Sequence, residues 1–463
     1  MTFLNQKIPL TLITLLLGLT VTAQTQIPAV ISNGARWTAA GSPYIMSSNV
    51  LIESTGIIII EPGTVVQADS TNFKITVDGE LQAIGTGDSI IKFDMVKFDF
   101  SLKSVGYDPI SGRGSQFQYC EFDETGTDRG IITLFLGNTP MLVKYCKFID
   151  GGENIRYSSS DTVGLFVEKS VFIGVSNMDG CPIISTSSAK MRMSDCYAEN
   201  MRAMTLTKDA EIRNCTFINF YGGIVSSYVY NSIVLECNLF KNFRRTSILY
   251  LPNPAVGAKI KISHNTFDSS QNHIQVHGDN LAKTATFIVE NNNFLAYSQY
   301  SVSISSWPTT GGAEKFNFRN NWWGTTNTND IAEGILDFND DSTIQIIVDF
   351  GGHLTQEVTT CKNGDPIGQA DTSRSTGSTS VPVISNFASN VYPNPATNQL
   401  NINLLGNPGK IARILDFSGK LNLETTLTSD VSIIDISHLP NGLYLLEIAG
   451  GGIIVRHKVI VSR

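Results

Sequence analysis

His273, Gln275 and His277 alternate in the stretch NHIQVHG. Successive strand residues point to opposite sides, so turning Ile274 and Val276 to a core puts these three polar side chains on one outer face. Arg244 and Arg245 lie one repeat earlier. An imidazole beside arginines has the chemistry of a general base next to anion-binding groups. It also suits a glycan-contacting surface, or a solvated strand face with no further role. Asp337, Asn339 and Asp341 spell D-x-N-x-D, the opening of a calcium loop. Ser342 stands where that loop needs glycine, and no glutamate follows at its last position, so the reading is an acidic turn. Calcium is the one cofactor left open, and no metal site is assigned. The seven cysteines are Cys120, Cys146, Cys181, Cys196, Cys215, Cys237 and Cys361; no C-x-x-C pair occurs, which argues against zinc. No Ser-His-Asp arrangement, phosphate loop or H-E-x-x-H helix is present, and catalytic residues stay unassigned.

The elements that position these residues repeat along the chain. Taking the residue two before each recurrent Phe as position p gives Cys120, Cys146, Ser170, Cys196, Cys215, Asn238, Asn265, Asn292 and Asn321. Position p+2 reads Phe122, Phe148, Phe172, Ala198, Phe217, Phe240, Phe267, Phe294 and Trp323. Positions p−3 and p−5 are almost wholly apolar. Pairs two apart share a face, but p−3 and p are three apart, so a bend must fall between two short strands. Further strand-like runs such as IITLFL (131–136) and SVSIS (301–305) complete each repeat. Several short strands per repeat without helical periodicity describe the rung of a β-solenoid. At the bend, Asn can bridge backbone groups that have lost ladder partners, and Cys is a small filler. Neighbouring thiols in a parallel stack point the same way, which is poor geometry for a disulfide, so free structural thiols are expected.

These columns resemble the right-handed parallel β-helix proteins of the pectate-lyase-like kind, with their asparagine ladders and aromatic stacks. The early stretch SPYIMSSNVLIESTGIIIIEPGTVVQ and the late stretch NNWWGTTNTNDIAEGILDFNDD look like the first and last rungs of such proteins. That class includes polysaccharide lyases, hydrolases and non-catalytic adhesins, so the fold does not decide the activity. An inverting hydrolase would need two carboxylates roughly 6.5–9.5 Å apart. The outer column around His277 lacks matching acids. The reading therefore leans away from an enzyme and toward a binding surface. A lyase or hydrolase, and a purely structural spacer, remain the alternatives.

The remaining chain is modular. Lys7, the apolar run over 8–22, and Val21 and Ala23 read as a secretory signal, with cleavage before Gln24. Residues 24–360 are assigned to the β-helix and 361–385, rich in Ser, Thr and Gly, to a flexible linker. Residues 386–463 carry alternating strands and turns that read as a small antiparallel β-sandwich. Their motifs resemble the type A C-terminal sorting domain of type IX secretion in Bacteroidota-like bacteria. The matching residues are Tyr392, Pro393, Asn394, Pro395, Asp416, Gly419, Leu439, Gly442, Tyr444 and Lys458. The resemblance implies the type IX machinery as partner and an extracellular or cell-surface destination. A net charge of −8 with no basic stripe excludes a general nucleic-acid footprint. No further run reaches transmembrane length, and a monomer that binds extracellular polysaccharide or a surface partner is expected.

Overall fold

A computed structural model of the 463-residue chain describes residues 24–361 and 390–463, except 124–131, 138, 151, 158–163, 175–179, 186–189, 207–208, 227–230, 246, 253, 279–284, 306–313, 360, 394–395, 404–409, 417–420, 430 and 451–452. The signal-like segment and the expected linker from residue 362 lie outside the described residues.

The chain divides into two compact units, 1–373 and 374–463. The first is an all-β parallel solenoid. Among the described residues its strands form four sheets on three sides. Sheet 1 has 12 strands, from Thr25–Gln26 to Asn293–Phe294. Sheet 2 has seven, from Val30–Ile31 to Cys181–Ser185, and sheet 3 takes up the same place in later rungs with six, from Met204–Leu206 to Ile335–Leu336. Sheet 4 has 13, from Ala35–Trp37 to Ile346–Asp349. Each strand pairs in parallel with its copy one rung away, so Phe122 lies opposite Phe148 and Phe148 opposite Phe172. Thirteen strands at about 4.8 Å per step make about 58 Å of solenoid. This exceeds the span of the nine aligned repeats, because three strands precede the Cys120 repeat, with Ile91 in register with Cys120, and strand Ile346–Asp349 follows the Asn321 repeat.

Stacked side chains fill the interior. Phe93, Phe122, Phe148 and Phe172 stack with ring centroids 4.6–5.0 Å apart. After Ala198, Phe217, Phe240, Phe267, Phe294 and Trp323 continue the stack at 4.6–5.3 Å. Each buried ring contributes roughly 1.5–3 kcal/mol by leaving water. The second unit has its own core, including Leu400, Ile402, Ala412, Ile414, Leu446 and Ile448. It packs a three-stranded and a four-stranded antiparallel sheet.

The bend demanded by the p−3 to p spacing is made by p−1. Tyr119, Tyr145, Lys169, Asp195, Asn214, Cys237, His264, Asn291 and Asn320 all adopt left-handed backbone, with φ between 47° and 60°. That conformation reverses the inward parity and takes the neighbouring N–H and C=O groups out of the ladder. The p side chain then has a defined task, because buried backbone groups need partners.

Candidate functional site

The corner column comes first, since every outer face hangs from it. Asn238, Asn265, Asn292 and Asn321 each donate Nδ2–H to a carbonyl one rung back, those of Ile212, Leu235, Ile262 and Val289, at 2.7–3.0 Å. The Oδ1 of each accepts the N–H of the p residue before it: Cys215, Asn238, Asn265 and Asn292, at 2.8–2.9 Å. The upstream residues use weaker groups in the same roles. Ser170 Oγ accepts from Cys146 N, and the sulfurs of Cys196 and Cys215 accept from Ser170 N and Cys196 N. The thiol of Cys146 donates to the carbonyls of Lys144 and Phe117. Cysteine at this corner is therefore a hydrogen-bonding group, not only the small filler that the sequence reading made it. Cys120, Cys146, Cys181, Cys196 and Cys215 are buried free thiols. Burial pushes the thiols of Cys120 and Cys215 well above the usual range, which keeps them unreactive. Cys237 occupies p−1, outside the column, and is disulfide-bonded to Cys361, which the sequence reading had placed at the head of the linker.

The histidine patch is corrected at its centre. His273 is fully buried, not outward, as are Ile274 and, nearly so, Asn272. The cause is a register shift between Ser270 and Asn272, which breaks the simple alternation and brings three successive residues inside. The ring of His273 lies 5.7 Å from that of Phe294 and 6.1 Å from that of Phe267, and its Nε2 bonds the Ala296 carbonyl at 3.0 Å. Burial lowers its pKa from 6.5 to about 4. A buried neutral imidazole cannot act as a base on a surface ligand. Gln275 and His277 do stand on the outer side, half-buried. Gln275 Oε1 accepts from Ser247 Oγ at 2.8 Å, and His277 Nδ1 lies 3.2 Å from Ser305 Oγ. The guanidinium of Arg245 lies 4.7 Å from the Tyr221 ring centroid, and Arg244 is exposed. The five residues do not converge on one reacting centre.

A better-formed site lies on the outer face of sheet 4. There Lys190 and Arg192, on strand Lys190–Ser194, stand opposite Asp209 and Glu211, on strand Asp209–Arg213. With Ser232 and Val234 of the next rung they line an open cavity of about 340 Å³. Glu211 is a hub: it bonds Arg213 Nε at 2.6 Å and pairs with Arg192 Nε at 3.5 Å. Arg213 also pairs with Glu236. One rung upstream, the guanidinium of Arg192 lies 6.0 Å from the Phe166 ring centroid, and Tyr107 packs edge-on against that ring at 6.1 Å. The cavity is thus lined by charged and small polar side chains with Val234 among them, while Phe166 lies outside its lining, under the Arg192 guanidinium. Asp209 and Glu211 point the same way from one strand, about 7 Å apart along the backbone. Both Glu211 oxygens face arginines, which fixes the carboxylate in place. The alternations KMRM and DAEIR, with opposite charges one repeat apart, are the signal that could have located this site.

The acidic turn near the end is occupied by its own backbone. Asp337 is buried and accepts from the N–H groups of Asn339 and Val348, while Asp341 accepts from the N–H of Thr343. Burial raises the pKa of Asp337. Trp323 is buried in the stack, and Trp322 is half-buried beside Asn293. In the C-terminal unit, Tyr392 closes strand Asn390–Tyr392, and Asp416 follows strand Lys410–Leu415. Gly442 opens strand Gly442–Gly450, and Lys458 pairs with Leu445 across the last two strands. Tyr444 is buried and donates its hydroxyl to the Pro440 carbonyl at 2.9 Å. Asn394, Pro395 and Gly419 lie outside the described residues.

The rungs define a class, the parallel β-helix, and residues 129–294 match the family described as right handed beta helix region. Residues 390–462 match the secretion system C-terminal sorting domain, so the chain is a secreted β-helix protein with a type IX sorting tail. The tail indicates passage across the outer membrane to the cell surface or extracellular space and implies contact with the secretion machinery. No curated protein matches the chain. Among the described residues, no helix is long and apolar enough to cross a membrane.

Proposed function

We propose that the solenoid, delivered outside the cell by its sorting tail after removal of the N-terminal signal, binds extracellular polysaccharide on the outer face of sheet 4. The observation that carries this reading is the cavity of about 340 Å³ lined by Lys190, Arg192, Asp209, Glu211, Ser232 and Val234. Sugar rings present apolar faces and a rim of hydroxyls. Val234 and the aliphatic stems of Lys190 and Arg192 take the first, and carboxylates and guanidinium groups held in ion pairs take the second. The ion pairs also fix the side chains before a ligand arrives, which lowers the ordering cost of binding.

A glycoside hydrolase is the second reading, and the shared face of Asp209 and Glu211 favours it. One experiment separates the two. The secreted protein is run through gels containing acidic and plant-type polysaccharides, and the same mixtures are assayed for new reducing ends and for absorbance at about 235 nm, where lyase products absorb. Retardation without product supports binding. Product release on any member of the panel would replace the binding reading with the enzymatic one, and neither retardation nor product would favour a spacer.

A further inference from the structure

The chain does not leave the solenoid at its last rung. After strand Ile346–Asp349 it turns and runs back over earlier rungs, outside the asparagine ladder. Leu354 N–H bonds the Asn321 carbonyl at 2.8 Å. One rung earlier, Asn293 grips Val358 on both sides, accepting its N–H at 2.8 Å and donating to its carbonyl at 3.0 Å. Two rungs earlier again, Cys361 is bonded to Cys237, with Cα atoms 5.4 Å apart. Cys237 is reachable because it occupies the left-handed p−1 position, at φ 60°, on the outer side of the corner. The five other cysteines are buried. The fold thus sorts an odd number of cysteines into buried thiols and one external pair.

We infer that this strap shifts the point where the tail pulls on the solenoid from the last rung to the rung of Cys237. Tension follows the shortest covalent path. With the disulfide closed, that path runs from the tail through Cys361 directly to Cys237, and residues 238–360 form a loop outside it. Those rungs need the protection. Each solenoid rung is held only by its neighbours, and among the described residues the terminal strand Ile346–Asp349 is paired on one side alone, so an unbridged chain would peel from that end. The clamp from Asn293 keeps the strap seated, and the disulfide carries the load. The device is a mechanical bypass suited to a protein displayed by its C-terminal end, and it is independent of what the solenoid binds.

The test is single-molecule stretching of the full secreted chain, including its sorting domain, between handles at the two ends. The bridged separation is 124 residues, about 450 Å of contour at about 3.6 Å per extended residue. The oxidised chain should release that much less length than Cys361→Ser, and it should lack the low-force step in which the terminal rungs open. Reductant added to folded wild-type protein should restore both the missing length and the step, which covers the case of a variant that folds poorly. Equal contour lengths with and without the bridge, or a low-force terminal step in the oxidised chain, would overturn the inference.

Discussion

The outer face of sheet 3 and the outer face of sheet 4 belong to one solenoid and hold polar residues in opposite ways. On sheet 3 the register shift at Ser270 and Asn272 draws His273 under the surface, where phenylalanine rings surround it. What stays outside is committed to neighbours, Gln275 to Ser247 and His277 to Ser305. On sheet 4 the strands keep strict alternation, so Lys190, Arg192, Asp209 and Glu211 all remain outside around an open cavity. A histidine is therefore no better a marker of a site than its register allows. Unbroken alternation is what left a continuous polar face.

The largest difference between the two faces should appear in acid. Folding keeps His273 neutral, with a folded pKa of about 4 against 6.5. A folded value below the unfolded one means the unfolded chain takes the proton first. Stability should be intact above about pH 6.5 and fall as pH drops toward about 4, by roughly 3 kcal/mol from this residue. Urea unfolding of wild type and His273→Gln at pH 7 and pH 4 checks this, since Gln keeps a donor for the Ala296 carbonyl. An equal acid loss in both proteins would break the assignment.

Sheet 4 should answer to salt instead. Glu211→Ala leaves Arg192 and Arg213 without their shared partner and should cost about 1 kcal/mol at low ionic strength, less in high salt. Paired denaturation curves at two salt concentrations would show it, and a salt-independent loss would contradict the ion-pair account. At the corner that flanks sheet 4, Cys146→Ser should cost less than about 1 kcal/mol, because Ser170 already makes the same bonds one rung on. Smaller still, Gln275→Ala and His277→Ala should each shift stability by no more than about 0.5 kcal/mol, as befits half-exposed groups. Thermal midpoints resolve both ranges.

The sequence was legible where a side chain repeats at a fixed place in the rung. The p, p+2 and p−3 columns fall where alignment puts them, and Trp323 does continue the phenylalanine stack. The left-handed corner at p−1 was less legible because its occupants vary from Tyr145 to His264. Even so, Asp195, Asn214, Asn291 and Asn320 are the residue types that adopt that backbone most readily. His273 was misplaced because a one-residue register shift leaves no trace in an alternating pattern. The Cys237–Cys361 bond was missed because Cys237 sits one residue off the column and its partner lies 124 residues away. The sheet 4 site was missed because its pairs, Lys190 with Asp209 and Arg192 with Glu211, form only across stacked rungs.

The proposal that sheet 4 binds polysaccharide is tested most directly by measuring affinity in two double variants beside wild type, using the polysaccharide that retards the secreted protein most. Arg192→Ala with Glu211→Ala removes two charged groups that line the sheet 4 cavity. Gln275→Ala with His277→Ala strips the outer polar side chains of sheet 3. The account predicts a loss of tenfold or more in the first, about 1.4 kcal/mol of binding, and no change in the second. Undiminished binding by the sheet 4 variant, or a loss confined to the sheet 3 variant, would contradict it.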